Sequence, residues 1–132
     1  MIARGESMPA RTLGPFDAAA VAAYAAASGD DNPLHVDAAL ARAAGFSAPP
    51  VHGMLIMAAI EPALAQWRPD LRLKRLSGTF AEPLLVGEDA RLVARVVRAD
   101  DREALLRVSV QGPRRAPCFI GEATLAPREA GA

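Results

Sequence analysis

The densest polar cluster of this 132-residue chain is Ser28-Gly29-Asp30-Asp31-Asn32-Pro33-Leu34-His35-Val36-Asp37. The Asp30 carboxylate and the His35 imidazole stand either side of an Asn-Pro turn, so both can reach one small volume. Acid/base work on water needs such a pair. In the hydration of an enoyl thioester, one group takes a proton from water while another protonates the carbon next to the carbonyl. Histidine titrates near neutrality and burial tunes a carboxyl upward, so the two residue types cover both roles. The plainer alternative is that Asp30 and Asn32 cap a helix end while His35 fills a packing gap. On the residues alone both readings stand.

A second segment, Val51-His52-Gly53-Met54, heads a long apolar stretch. A glycine at a helix N-terminus offers an unobstructed N–H, and the helix dipole adds positive potential there. An enolate oxygen developing on a thioester carbonyl would be stabilised at Gly53, an oxyanion-hole effect typically of about 3–4 kcal/mol. Gly53 as a mere turn glycine is the competing reading. His52 is either a second acid/base or a core histidine with a backbone partner; we take it as the latter, supporting the site.

Around these segments the elements read as follows. Phe16-Asp17 leads into an alanine-rich helix running to Ala27, with Asp17 at its positive end, and Ser28–Pro33 must end it. Asp37 to Ala44 reads as a short helix capped by Asp37 and stopped by Gly45. Met54 to Trp67 is apolar on nearly all faces, which predicts a buried helix, with Pro62 as a kink or break. From Leu71 the period changes to two. Ala90, Leu92, Ala94 and Val96 alternate with polar residues, as do Ala104, Leu106, Val108 and Val110, with Asp100-Asp101-Arg102 as the turn of an antiparallel hairpin. Leu71 to Phe80 switches phase midway, which a bulge near Arg75 or Gly78 explains, and Cys118 to Leu125 is a last strand. Helices first and strands after indicate a single α+β domain over 1–132, its antiparallel sheet wrapped over the central helix.

Composition narrows the function. Hydrophobic residues make up 52% and aromatics 5%, so the core is aliphatic. Fifteen basic residues balance fifteen acidic ones. The charge excess of either half is too weak for a nucleic-acid footprint. One cysteine, Cys118, excludes an internal disulfide and a cysteine-based metal cage. The first residues lack the apolar stretch of a secretory signal, and no run approaches the ~20 residues that span a bilayer. A cytoplasmic protein with neither membrane nor nucleic-acid partner is expected.

The two polar segments together resemble the MaoC-like dehydratases, which include the (R)-specific enoyl-CoA hydratases. The family's Asp-x-Asn-Pro-x-His signature after Ser-Gly stands here as Ser28-Gly29-Asp30-Asp31-Asn32-Pro33-Leu34-His35. Ala44-Gly45-Phe46, Val51-His52-Gly53-Met54-Leu55 and Thr79 to Glu88 are similar to its continuation, the last as an aromatic–Pro–Val–Gly strand pair. The likeness runs from about Thr12 to Leu125. It implies a hot-dog fold, a long helix wrapped by an antiparallel sheet, assembled as a homodimer or in a heteromeric or higher oligomer. It also implies Asp30 and His35 as the catalytic pair polarising water, Gly53 N–H on the thioester carbonyl, and Asn32 orienting the loop or contacting the water network. The acyl chain would run beside Met54 and Met57. No metal and no redox cofactor is implied; the substrate is an acyl-CoA or an acyl-carrier thioester. Glu61 stands where some relatives place a small or hydroxyl residue, and a carboxylate there would restrict the tunnel unless it faces solvent.

Three alternatives make different demands. A carrier-protein dehydratase predicts an arginine cluster at the tunnel mouth, from Arg72, Lys74 and Arg75 or from Arg114 and Arg115. A hot-dog thioesterase needs a helix carboxylate, for which Glu61 is the candidate. A non-catalytic acyl-thioester-binding domain would leave the acid/base pair idle.

Overall fold

The computed structural model of the chain describes residues 2–128; the ends of the expected domain, Met1 and residues 129–132, lie outside them. The alternating apolar residues of the second half form β2 (Leu71–Phe80), β3 (Ala90–Ala99), β4 (Ala104–Gln111) and β5 (Phe119–Pro127). They join β1 (Ser7–Leu13) in one antiparallel sheet of order β1-β3-β4-β5-β2. The β3–β4 hairpin turns where expected. Asp100 accepts from the N–H groups of Arg102 and Glu103 at 2.8 and 2.9 Å. In β2 the register shifts between Leu73 and Arg75, which places the bulge beside Arg75.

Two segments of the sheet differ from the sequence reading. β1 was not expected; it is short, carries Pro9 and shows little alternation. It is tolerated because it lies at the sheet edge, where a missing N–H breaks no ladder. Thr79 to Glu88 is not a strand pair. The strand stops at Phe80 and a loop follows, tied to the rest by an isolated bridge between Leu85 and Pro50 and by backbone bonds to Pro117, Cys118, Pro49 and Phe16. Pro83 cannot donate to a ladder, Gly87 has φ +87°, and the Glu88 carboxylate takes the Leu85 N–H at 2.7 Å.

The two shorter helices begin at acidic caps. In α1 (Ala18–Ser28) Ala20 N–H donates to Asp17 at 2.7 Å, and Gly29 closes the helix at φ +78°. In α2 (Ala38–Ala43) Leu40 N–H donates to Asp37 at 3.1 Å. The long helix, α3 (Gly53–Trp67), continues through Pro62. Proline there frees the carbonyl of Ala58, and both residues are exposed, so water satisfies the group.

Burial of α3 is one-sided in the single chain. Ile56, Ile60, Ala63 and Leu64 recur at helical spacing and pack into the core, where Leu92, Leu106, Val108, Val110 and Phe119 are wholly enclosed by the sheet. Met54, on another face, is 56% exposed. The expectation of a helix buried nearly all round is therefore corrected: its all-round apolarity exceeds what one sheet can cover. No helix among the described residues is long and apolar enough to cross a membrane.

One packing chain leads from the sheet to the head of α3. Gly78 and Gly121 face each other across β2 and β5, and a Cβ on Gly78 would lie 2.5 Å from the Phe119 ring. Phe119 therefore fills the space two missing side chains leave. Phe80 tilts against it with ring centroids 5.3 Å apart, and its own ring lies over Gly53.

Candidate active site

The turn after α1 brings the sequence-predicted residues together. A carboxylate oxygen of Asp30 and one ring nitrogen from each of His35 and His52 lie within 4.8 Å of one another. Asp30 is exposed, His35 half-buried, and His52 only 1% exposed.

Each residue is held by an identifiable bond. Asn32 Oδ1 accepts the Leu34 N–H at 3.0 Å and so caps the single 3-10 turn Pro33–His35. Its amide shapes the loop, the first of the two roles expected of it. Ser28 Oγ accepts the Asp30 N–H at 3.1 Å. His35 Nδ1–H donates to the Pro50 carbonyl at 2.7 Å. A carbonyl only accepts, so this bond puts the proton on Nδ1 and leaves the Nε2 lone pair of His35 free to act as a base. Asp31, at the variable position, is exposed and bonds only locally, its N–H donating to the Gly29 carbonyl at 3.1 Å.

His52 has the backbone partner expected of a core histidine. Its Nε2–H donates to the Asp30 carbonyl at 3.1 Å, and its ring stacks on His35 with centroids 3.8 Å apart and planes 23° from parallel. Tyr24 of α1, a residue with no motif to single it out, tilts against His52 with ring centroids 4.8 Å apart. The group Asp30, His35 and His52 has the residue types of a metal site, but its arrangement does not fit one. Imidazole lone pairs lie in the ring plane, so stacked rings do not converge on one ion at about 2.0–2.1 Å.

Gly53 is the first residue of α3, where the leading N–H groups have no partner within the helix. It has no positive φ, so it is not a turn glycine. What favours glycine is the close approach of Phe80: a Cβ would lie 3.0 Å from that ring, which would have to shift to admit it. Met57 leans on the core, whereas Met54 lies open beside Gly53.

Other candidates lie elsewhere. Glu61 is exposed two turns along α3, roughly 12 Å of axial rise from Gly53, and lines a small hollow with Arg68, Arg72 and Arg128. Lys74 pairs with Glu103 at 3.0 Å near the start of β2, and Arg72 stands roughly 25 Å of strand away from Phe80. A hollow of about 620 Å³ there mixes Arg72, Lys74 and Arg102 with Asp100, Asp101 and Glu103. Arg114 donates to both oxygens of Glu88, at 2.8 and 3.2 Å, and to the Pro83 carbonyl. Lys74 and Arg114 are thus each committed to a carboxylate.

Comparison with known proteins agrees with this geometry. The family model described as the MaoC like domain matches residues 3–112. An (R)-specific enoyl-CoA hydratase of Aeromonas caviae is 37% identical over 120 residues, covering 88% of this chain and 90% of the relative. The solved structure of an A. caviae (R)-hydratase involved in PHA biosynthesis superposes with a TM-score of 0.85 at 32% identity, over 96% of this chain and 98% of the other. An unliganded R-hydratase of Pseudomonas aeruginosa gives 0.85 at 27%, over 97% and 84%. The sheet and its long helix are thus the hot-dog fold, and the chain belongs to the MaoC-like dehydratase family.

Proposed function

We propose that the chain adds water to, or removes it from, a 2-enoyl/3-hydroxyacyl thioester, acyl-CoA by preference, with Asp30 and His35 acting on the water. The observation that carries this reading is the Nδ1–H bond from His35 to Pro50, which leaves Nε2 without a proton in a ring that lies close to the Asp30 carboxylate. In the hydration direction a water lies between the two side chains. Its oxygen bonds C3 of the enoyl group as one proton passes to Nε2. The double-bond electrons move onto the thioester oxygen, where Gly53 N–H and the α3 dipole stabilise the enolate. The enolate then collapses as the pair returns one proton to C2, so H and OH are added in balance. The thioester itself activates C3, and the reaction calls for no metal or redox group.

We read Met54 and Met57 as the flexible wall along which the acyl chain runs. The open face of α3 and the free edge of the ten-residue β2 favour a homodimer that covers them. The A. caviae relative's name favours CoA over a carrier protein. Thioesterase chemistry through Glu61 lacks support because that carboxylate is two turns away and exposed.

The test is the absorbance of crotonyl-CoA at its enoyl-thioester band. Wild type is expected to bleach it and Asp30→Asn and His35→Ala to leave it unchanged. Free thiol released by wild type without hydration would overturn the proposal.

A further inference from the structure

His52 is an odd choice for a purely packing role. It is buried, yet its Nδ1 has no hydrogen-bond partner among the described residues. An enclosed acceptor without a partner is destabilising, so an apolar side chain would fill the space better. What the imidazole does that an apolar ring cannot is donate from Nε2 to the Asp30 carbonyl, across 22 positions of sequence. It does so while lying flat on His35.

We infer that His52 is a positioning residue: one ring that sets the main chain of Asp30, the plane of His35 and the head of α3 relative to one another. The inference rests on the proposed hydration and deepens it. Pro50 to Gly53 then act as one rail. The Pro50 carbonyl orients His35, the His52 ring holds Asp30 and backs His35, and Gly53 presents its N–H. The two histidines are also unequal. His35 has Nε2 free to receive a proton from water, whereas the second nitrogen of His52 is enclosed with no acceptor for a further proton. One imidazole moves protons and the other holds it in place.

Two variants separate this from packing. His52→Phe keeps a flat ring against His35 and loses the donor, and His52→Gln keeps a donor able to reach the Asp30 carbonyl and loses the ring. Displacement of a reacting group by about 1 Å costs on the order of 100-fold. His52→Phe is therefore expected to lower kcat by roughly 10–100-fold with KM little changed, and His52→Gln to recover part of that loss. Combined with Asp30→Asn, His52→Phe should add much less than it costs alone, because Asp30 and His35 act as a pair and the pair is already disabled. Equal losses in both variants that simply follow their melting temperatures would overturn the inference, as would full multiplication in the double variant. A second arm needs no turnover. In imidazole-region NMR the slowly exchanging His35 Nδ1–H should broaden or shift in His52→Phe, and an unchanged His35 signal would contradict positioning. If wild type hydrates no enoyl thioester, the proposed function fails while this arm still decides the role of His52.

Discussion

Along β3 and β4 every second side chain is closed off from solvent, with Leu92, Ala94, Leu106, Val108 and Val110 at 0% exposure; α1 buries only Val21 and Ala25, and α2 only Ala41. The sheet is held by area and the catalytic loop by a few directed bonds. Asn32 to Leu34, Ser28 to Asp30, His35 to Pro50 and His52 to Asp30 account for most of what fixes the candidate site. Such a division lets the loop carry polar groups that a core would exclude. It also predicts that damage to the sheet shows first in stability and damage to the loop first in rate.

The largest stability effect should come from the sheet. Phe119→Ala removes the ring that Gly78 and Gly121 make room for, and should cost about 3–5 kcal/mol in urea unfolding. It should also slow turnover, because Phe80 rests on Phe119 and covers Gly53. A loss below 1 kcal/mol would mean the sheet is less tightly packed than the contrast requires.

Asn32→Ala sharpens the other side of the comparison. Losing a cap costs about 0.5–2 kcal/mol in general. Here the cap orders the turn that carries His35, so kcat should fall by more than the melting temperature suggests. A normal rate in a destabilised variant would place Asn32 with the scaffold.

The smallest effect lies at the join between the two regions. Glu88 is a carboxylate whose burial alone would raise its pKa; the Arg114 guanidinium and the Leu85 N–H outweigh that and hold it below its ordinary value of 4.5. A depressed folded-state pKa means stabilisation that is present above about 4.5 and lost as pH falls through the folded value. The pair is partly exposed, so the contribution is at most about 1 kcal/mol. Glu88→Gln should therefore melt lower than wild type at pH 7, with the gap closing as pH falls below about 4.5. A gap that persists in acid would show that the carboxylate charge is not what matters.

The same contrast explains what was legible in the sequence. Period-two burial announced β2 to β5, and Asp17, Asp37 and Asp100 announced their caps and turn. β1 was hidden because an edge strand with Pro9 needs little alternation, and the loop after Phe80 because its backbone bonds go to several scattered segments, Pro117–Cys118, Pro49–Val51 and Phe16, rather than to one ladder. In the site, the spacing of Asp30 and His35 suggested their meeting. Three features left no mark in the residue pattern: the Pro50 carbonyl that sets the His35 tautomer, the stacking of His52 on His35, and the Phe80 ring that lies close over Gly53. All three are contacts between segments that the fold, and not the local sequence, brings together.

The central claim is tested most directly by following crotonyl-CoA absorbance and thermal melting side by side in wild type, Asp30→Asn and His35→Ala. General acid–base groups contribute about 10²–10⁴-fold, so both variants should lose at least that share of the wild-type rate while melting within a few degrees of it. Retention of wild-type turnover by either stably folded variant would contradict the assignment of Asp30 and His35 to the water.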